Sequence, residues 1–409
     1  MMTRSQHIPA YFLVLILVLT LFSCGKDRWE EYYPRVYKSM WVDSILRADY
    51  LYRSDLPEKE SLTSSYFLEP EAFLKKVLPS HDKFSRVDSI NNGKLHDQGL
   101  RFTWVPLEGG SNGALVYMVD RGSAAEGSGI ERGDWIISID GDSITENEKP
   151  RLSDGDAHEL VLAHADSSGR LTPYRLTHLP QARTYKRSSL QAINRFSTGS
   201  HEVAYLCLTR LDSQALGELE DQGREIYMET CDYLVMDLRY ADTGDMESMR
   251  ILAGMVDSRN RAGSPLAVLK HASERGIDST TVLFPSIEDM GMLPFMDLKG
   301  VYFLVSGQTQ AEAEILINCL RPHISTTIIG LPTKGQAVTL GSYQREDIGL
   351  TLRPVTAHVA NYMGEATYEG IGLEPELRIS ETEHLDLIRP LGDKDEVLLS
   401  VALHDISQR

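Results

Sequence analysis

The sequence predicts a multidomain α/β protein, and three observations predict it. From Trp29 to about Ile90 apolar and aromatic residues recur at helical spacing. From about Gly93 to Leu179 short strands are divided by glycine turns. From about Gln181 to Arg409 apolar strands alternate with amphipathic helices, a pattern that yields a mostly parallel sheet. The 409 residues, 42% of them hydrophobic, suffice for two or three domains with a sizeable core. A net charge of −18 argues against nucleic acid or an anionic membrane surface as partner. The boundaries read as a leader (1–24), a small helical domain (25–92), a strand-rich domain (93–180) and the α/β domain (181–409).

In the leader, Arg4 and His7 precede an apolar stretch from Tyr11 to Phe22, short for a bilayer span and of the right length for a signal-peptide core. Leu21-Phe22-Ser23-Cys24 resembles a bacterial lipobox. That resemblance implies lipidation of Cys24, and Gly25-Lys26-Asp27, with no aspartate directly after the cysteine, implies an outer-membrane anchor, on the periplasmic face or the cell surface. The alternative is an ordinary secretory signal. Cys207, Cys231 and Cys319 lie among apolar residues and read as buried thiols. In the helical domain, Trp41, Ile45 and Leu46 mark one apolar face. Pro70, Glu71, Phe73, Leu74 and Val77 mark a proline-initiated amphipathic helix.

The strand-rich domain contains Gly122-Ser123-Ala124-Ala125 and the run Gly129-Ile130-Glu131-Arg132-Gly133-Asp134-Trp135-Ile136, continuing to Asp140-Gly141. These residues resemble a PDZ domain. In that register Gly99, Leu100, Arg101 and Phe102 occupy the loop whose N–H groups hold a peptide carboxylate, with Arg101 in place of its second glycine. Peptide binding and a purely structural PDZ domain both fit these residues.

The α/β domain opens with a strand at Val203–Leu208. Leu216, Leu219, Gly223, Ile226 and Tyr227 line a helical face, Tyr233–Asp237 is a buried strand, and Met249, Leu252, Ala253 and Val256 line another helix. Val301-Tyr302-Phe303-Leu304-Val305 is a buried strand, Ser306-Gly307 a turn, and Ile315, Leu316, Cys319 and Leu320 the apolar stripe of the helix that follows. Helix N-termini at the carboxyl ends of such strands favour binding and catalysis.

Ser306-Gly307-Gln308-Thr309-Gln310-Ala311-Glu312-Ala313-Glu314 resembles the nucleophile motif S-G-x-T-A-S-A-S-E of the tail-specific, or C-terminal processing, serine proteases. The resemblance implies a crotonase/ClpP-like protease domain with a Ser/Lys dyad, acting on peptides or protein C-termini and needing no cofactor. In its register the serine position holds Ala311, and the lysine position holds Gln336, after Gly335. A methyl group cannot attack a carbonyl, and an amide cannot accept the proton. Asp237-Leu238-Arg239-Tyr240-Ala241-Asp242-Thr243-Gly244 resembles the family's oxyanion turn, D-L-R-x-N-x-G-G. Ala241 replaces the asparagine and Thr243 one glycine, and a carboxylate on Glu312 would oppose developing negative charge. Asp395 to Ile406 resembles the family's closing helix, and the resemblance is loosest from about Ser258 to Asp297.

Thr309-x-x-Glu312 fits a capping box. A displaced dyad, Lys334 with Thr309 or Ser306, is the route by which catalysis would survive; Cys319 reads as core rather than nucleophile. No Ser/His/Asp pattern, HExxH or paired cysteines point to a triad or a metal. The expectation is a peptide-binding, non-cleaving protein of the envelope, with an active protease or a scaffold that binds no peptide as the alternatives.

Overall fold

The computed structural model describes residues 29–90, 94–106, 112–145, 147, 149–166, 168–257 and 261–409. The leader and Cys24 lie outside them. The N-terminal helix Trp29–Asp49 buries Val36, Ser39, Val42, Asp43 and Leu46, and Tyr50 just after it is buried too, whereas Trp41 and Ile45 are only half-buried. The true stripe was hidden because two of its members are polar. Ser39 donates to Leu68 O (2.7 Å), and Asp43 accepts from Tyr66 Oη (2.9 Å) and Arg47 Nε (3.0 Å), which removes the usual cost of burying them. The second helix, Pro70–Val77, starts at its proline and buries Phe73, Leu74 and Val77. Both helices share a core with Val338, Leu352 and Val355 of the C-terminal region.

Strands Leu100–Pro106, Asn112–Val119, Trp135–Ile139, His158–Ala165 and Leu171–Leu179 form an antiparallel sheet in that order, so Leu100–Pro106 is an edge. Trp135 and its neighbours pack against Ile388. At Gly133 (φ +95°) a Cβ would lie 2.4 Å from Ile388 O, so only glycine lets this domain approach so closely.

The main sheet runs Leu190–Thr198, His201–Leu208, Tyr233–Asp237, Gly300–Val305, Thr326–Gly330, Leu377–Arg378, parallel after its first pair. One apolar face packs against helices Ser213–Gly223, Met246–Val256 and Glu312–Leu320, the other against Val397–Ser407. Helix Ser213–Gly223 stops four residues before the predicted face ends. Tyr227 is left-handed (φ +52°) and exposed, so it leaves the predicted face, whereas Ile226 still packs on the core from beyond the helix end. The stretch of loosest resemblance holds an antiparallel hairpin, Pro265–Ser273 with Gly276–Leu283. It extends a second sheet containing Val355–Asn361 and Val338–Leu340.

Candidate functional site

Strand Gly300–Val305 is wholly buried and delivers the chain to a tight turn, after which helix Glu312–Leu320 begins. Two loops are laced together there. Thr309 Oγ1 donates to Leu238 O (2.8 Å) and accepts from Ser306 N–H (3.0 Å). Ser306 Oγ donates to Arg239 O and accepts from Gln308 N–H. Gln310 donates its N–H to Ala241 O and its amide to Asp242 O, each at 3.0 Å. The turn 237–242 is therefore fixed against the turn 306–310 through backbone carbonyls, and both hydroxyls named as fallback nucleophiles are committed to that task.

Ala311 stands between this lacing and the helix at φ +57°, ψ −129°, buried. A residue with a Cβ avoids that conformation, at a cost of roughly 1–3 kcal/mol. It is the geometry of a nucleophile held at the tip of a strand-to-helix elbow, here carrying a methyl group. Ala311→Gly is therefore expected to stabilise the fold by about 1 kcal/mol, since relief of strain exceeds the entropy glycine adds to the unfolded chain. Urea denaturation measures it, and a loss of stability would contradict a strained elbow.

The capping box is not formed. Ala311, two residues after Thr309, is the cap residue and provides no side-chain acceptor; the helix starts at Glu312. The carboxylate at the third helical position, Glu314, performs the reciprocal part. It accepts from Thr333 Oγ1, Gly335 N–H (2.7 Å) and Gln336 N–H (2.7 Å), and the Ala311 N–H also favours its ionised form. Burial nevertheless raises its pKa. Glu314 is thus the point where the elbow meets the strand carrying Gln336. A glutamate three residues after a cap is a known sequence signal; the motif's threonine placed the expected cap two residues early.

Glu312 is buried and accepts from Thr339 Oγ1 (2.9 Å). Burial pushes its pKa up; its own N–H and Thr339 oppose this, and Asp245 adds to it. The N–H that would serve as an oxyanion donor in the register above therefore faces its own residue's carboxylate. Gly244 is required beside it, since a Cβ there would lie 2.6 Å from Leu211 O and 3.0 Å from Glu312 Cβ. Thr243 pairs with Arg210 in a short parallel ladder and so positions that turn. A carboxyl whose folded-state pKa is raised contributes stability below its ordinary value of 4.5 and loses it as pH rises through the folded value. Glu312→Gln is accordingly expected to add about 1 kcal/mol near pH 8 and nothing at pH 4. Denaturation at the two pH values checks the sign.

Gln336 is buried and its amide donates to Val338 O (3.2 Å). Lys334 is exposed, and its side chain has no hydrogen bond or ion pair among the described residues. Only its backbone N–H reaches the elbow, at Thr309 O (3.0 Å). A slip of two residues, which would bring Lys334 to the position of Gln336, is opposed by packing. Gly335 (φ +87°) would place a Cβ 2.8 Å from Ile371 N, and Gly370 N–H donates to Gly335 O (2.8 Å). Among the described residues no hydrogen bond joins the Lys334 side chain to the hydroxyl of Ser306 or Thr309. Cys319 is buried in the core of the helix, and burial pushes its thiol up to about 12.

The turn is anchored from below by a buried network. Arg239 binds Asp237 through Nε (3.0 Å) and Nη2 (2.5 Å), and Glu381 and Glu396 through Nη1 (2.6 Å each). Arg132 reaches in from the antiparallel domain to Tyr240 Oη (2.6 Å), Arg389 O (2.9 Å), Glu381 and Glu396. Tyr117 of that domain stacks on Tyr240, with centroids 5.0 Å apart. Sequence reading missed this network, because residues more than a hundred positions apart meet only in the fold.

In the antiparallel domain, Gly99 (φ +72°) admits no Cβ, which would lie 2.0 Å from Ser123 Cβ. Its N–H donates to Asp97 Oδ1 (2.7 Å). Arg101 turns to Asp120 (2.6 Å) and Asp97 (3.1 Å) rather than outward. Leu100 is buried with Leu152, and Phe102 packs edge-on to Trp104. A cavity of about 340 Å³ lies between this loop and the turn Arg151–Ser153, bordered by Asp97, Asp154 and Asp156. The free edge Leu100–Pro106 offers backbone groups for an added strand.

Residues 202–379 match the family model of peptidase family S41, and residues 92–151 match that of the PDZ domain. A crystal structure of a Bacteroides fragilis NCTC 9343 protein assigned to the S41 proteases superposes with a TM-score of 0.82 at 28% identity, covering 90% of this chain and 97% of that one. The photosystem II D1 C-terminal processing protease aligns over 90% of this chain and 98% of its own at 17% identity and a TM-score of 0.49. Among curated proteins, none matches the chain significantly.

Proposed function

We propose that this chain, which joins a peptidase family S41 domain to a PDZ domain, captures extended peptides or protein C-termini and does not cleave them. The observation that carries this reading is the elbow itself, strained at φ +57° and filled by the methyl group of Ala311. The two hydroxyls nearest in sequence, Ser306 and Thr309, hold backbone carbonyls, and the exposed Lys334 side chain has no hydrogen bond or ion pair among the described residues. The Glu312 carboxylate beside its own N–H further supports loss of oxyanion stabilisation. A PDZ domain next to a protease domain, with an unpaired edge strand, supports retention of peptide binding. The leader motif at Cys24 supports an outer-membrane lipoprotein.

The test is incubation of the purified protein with an unfolded peptide ending in apolar residues. Retention of the peptide on the protein, with its mass unchanged after a day, is the expected result. Fragments would support a protease, and failure to retain the peptide would support a scaffold.

A further inference from the structure

Beside the elbow lies a cleft whose charge is opposite to that of the molecule. Two adjoining cavities, about 850 and 420 Å³, share Asp88, Arg210 and Arg353; the smaller one reaches Thr243 and Gln310. Five cations line the pair (Arg86, Lys186, Arg187, Arg210 and Arg353) against three acids, Asp88, Asp212 and Asp242. In a chain of net charge −18 this local excess is unusual. Arg86 and Arg353 lie opposite each other on paired strands, and among the described residues each donates only through Nε, at 3.3 and 3.1 Å, to the same Asp88 oxygen. One carboxylate thus holds two guanidinium groups whose terminal nitrogens remain for a ligand. A planar fork of this kind suits carboxylates, which it can bind through two hydrogen bonds.

We propose that this cleft binds a short acidic stretch of an extended peptide, its carboxylates paired with Arg86, Arg187, Arg210 and Arg353. The proposal rests on the peptide-capture reading and names the chemistry of what is captured. Strand Arg86–Ser89 is an edge of its three-stranded sheet and lines the cleft, so a peptide can add backbone hydrogen bonds beside the arginines. A long polyanion such as nucleic acid would meet the repulsion of the remaining surface, which favours a short segment.

The test is fluorescence anisotropy on the full chain with a labelled hexapeptide alternating glutamate and threonine, and its glutamine counterpart. The acidic peptide is expected to bind at least about tenfold more tightly than the glutamine peptide, the preference weakening in high salt. Arg86→Gln with Arg353→Gln should remove that preference. Asp242→Asn, a change at a half-exposed position, should tighten binding about two- to fivefold and so serves if the double variant does not fold. Equal binding of the two peptides, or no response to Asp242→Asn, overturns the proposal. Tighter binding of a single-stranded oligonucleotide of equal charge also overturns it, in favour of a nucleic-acid ligand. If an apolar-tailed peptide binds and the acidic one does not, this proposal falls alone; if neither binds, the peptide-capture reading falls with it.

Discussion

Ala311→Ser combined with Gln336→Lys is expected to yield weak but measurable peptide cleavage, and either change alone none. The elbow already holds position 311 in the strained conformation a nucleophile needs, and Glu314 ties the backbone of Gln336 to the start of the same helix. The two positions are therefore registered without rearrangement. A lone serine lacks a base and a lone lysine lacks a nucleophile, so the gain is strongly non-additive. Removing the neighbouring carboxylate by adding Glu312→Ala should raise the rate a further roughly 10²–10³-fold, the ordinary worth of one oxyanion donor. Release of a fluorogenic peptide fragment measures each step. Activity in the single Ala311→Ser variant would show that another base, such as Lys334, can reach the elbow.

Glu396→Ala is expected to destabilise the fold by about 3–5 kcal/mol, because it leaves Arg239 buried with one partner fewer. Glu396 is fully buried, accepts from Arg239 (2.6 Å) and Arg132 (3.2 Å), and caps helix Val397–Ser407 through the N–H groups of Leu398 and Leu399 (3.1 Å each). Loss of the cap alone is worth about 1 kcal/mol. Glu396→Gln keeps an acceptor and should cost less. In the same network burial alone would raise the Glu381 carboxyl; Arg239 and Arg132 outweigh it and hold the pKa at about 2. A depressed pKa contributes stability above the ordinary carboxylate range and loses it as pH falls through the folded value, so the network survives mild acid. Urea denaturation reports the loss. A change below about 1 kcal/mol would mean that the buried ions contribute little net energy.

Much of the fold was legible because its elements carry strong periodicity: the wholly buried strands at Tyr233–Asp237 and Gly300–Val305, and the closing helix at Val397–Ser407. The elbow was legible as a strand, a turn at Ser306-Gly307 and a helix marked by Ile315, Leu316, Cys319 and Leu320. Three things were not legible, each for a physical reason. Ser39 and Asp43 belong to a buried stripe only because Leu68, Tyr66 and Arg47 satisfy them. Glu312 turns to Thr339, twenty-seven residues away, rather than to the local cap that its spacing suggests. The Arg132 clasp and the arginine cleft are assembled from segments distant in sequence, and no local pattern announces such meetings.

The central claim is that no activated nucleophile remains at the elbow. Treating the purified wild-type protein with a fluorophosphonate, and locating any adduct by peptide mass spectrometry, tests it most directly. The account predicts no adduct on any residue from Ser306 to Gln336, with the Ala311→Ser, Gln336→Lys variant as the labelled control. A stoichiometric adduct on Ser306 or Thr309 of the wild type would contradict it.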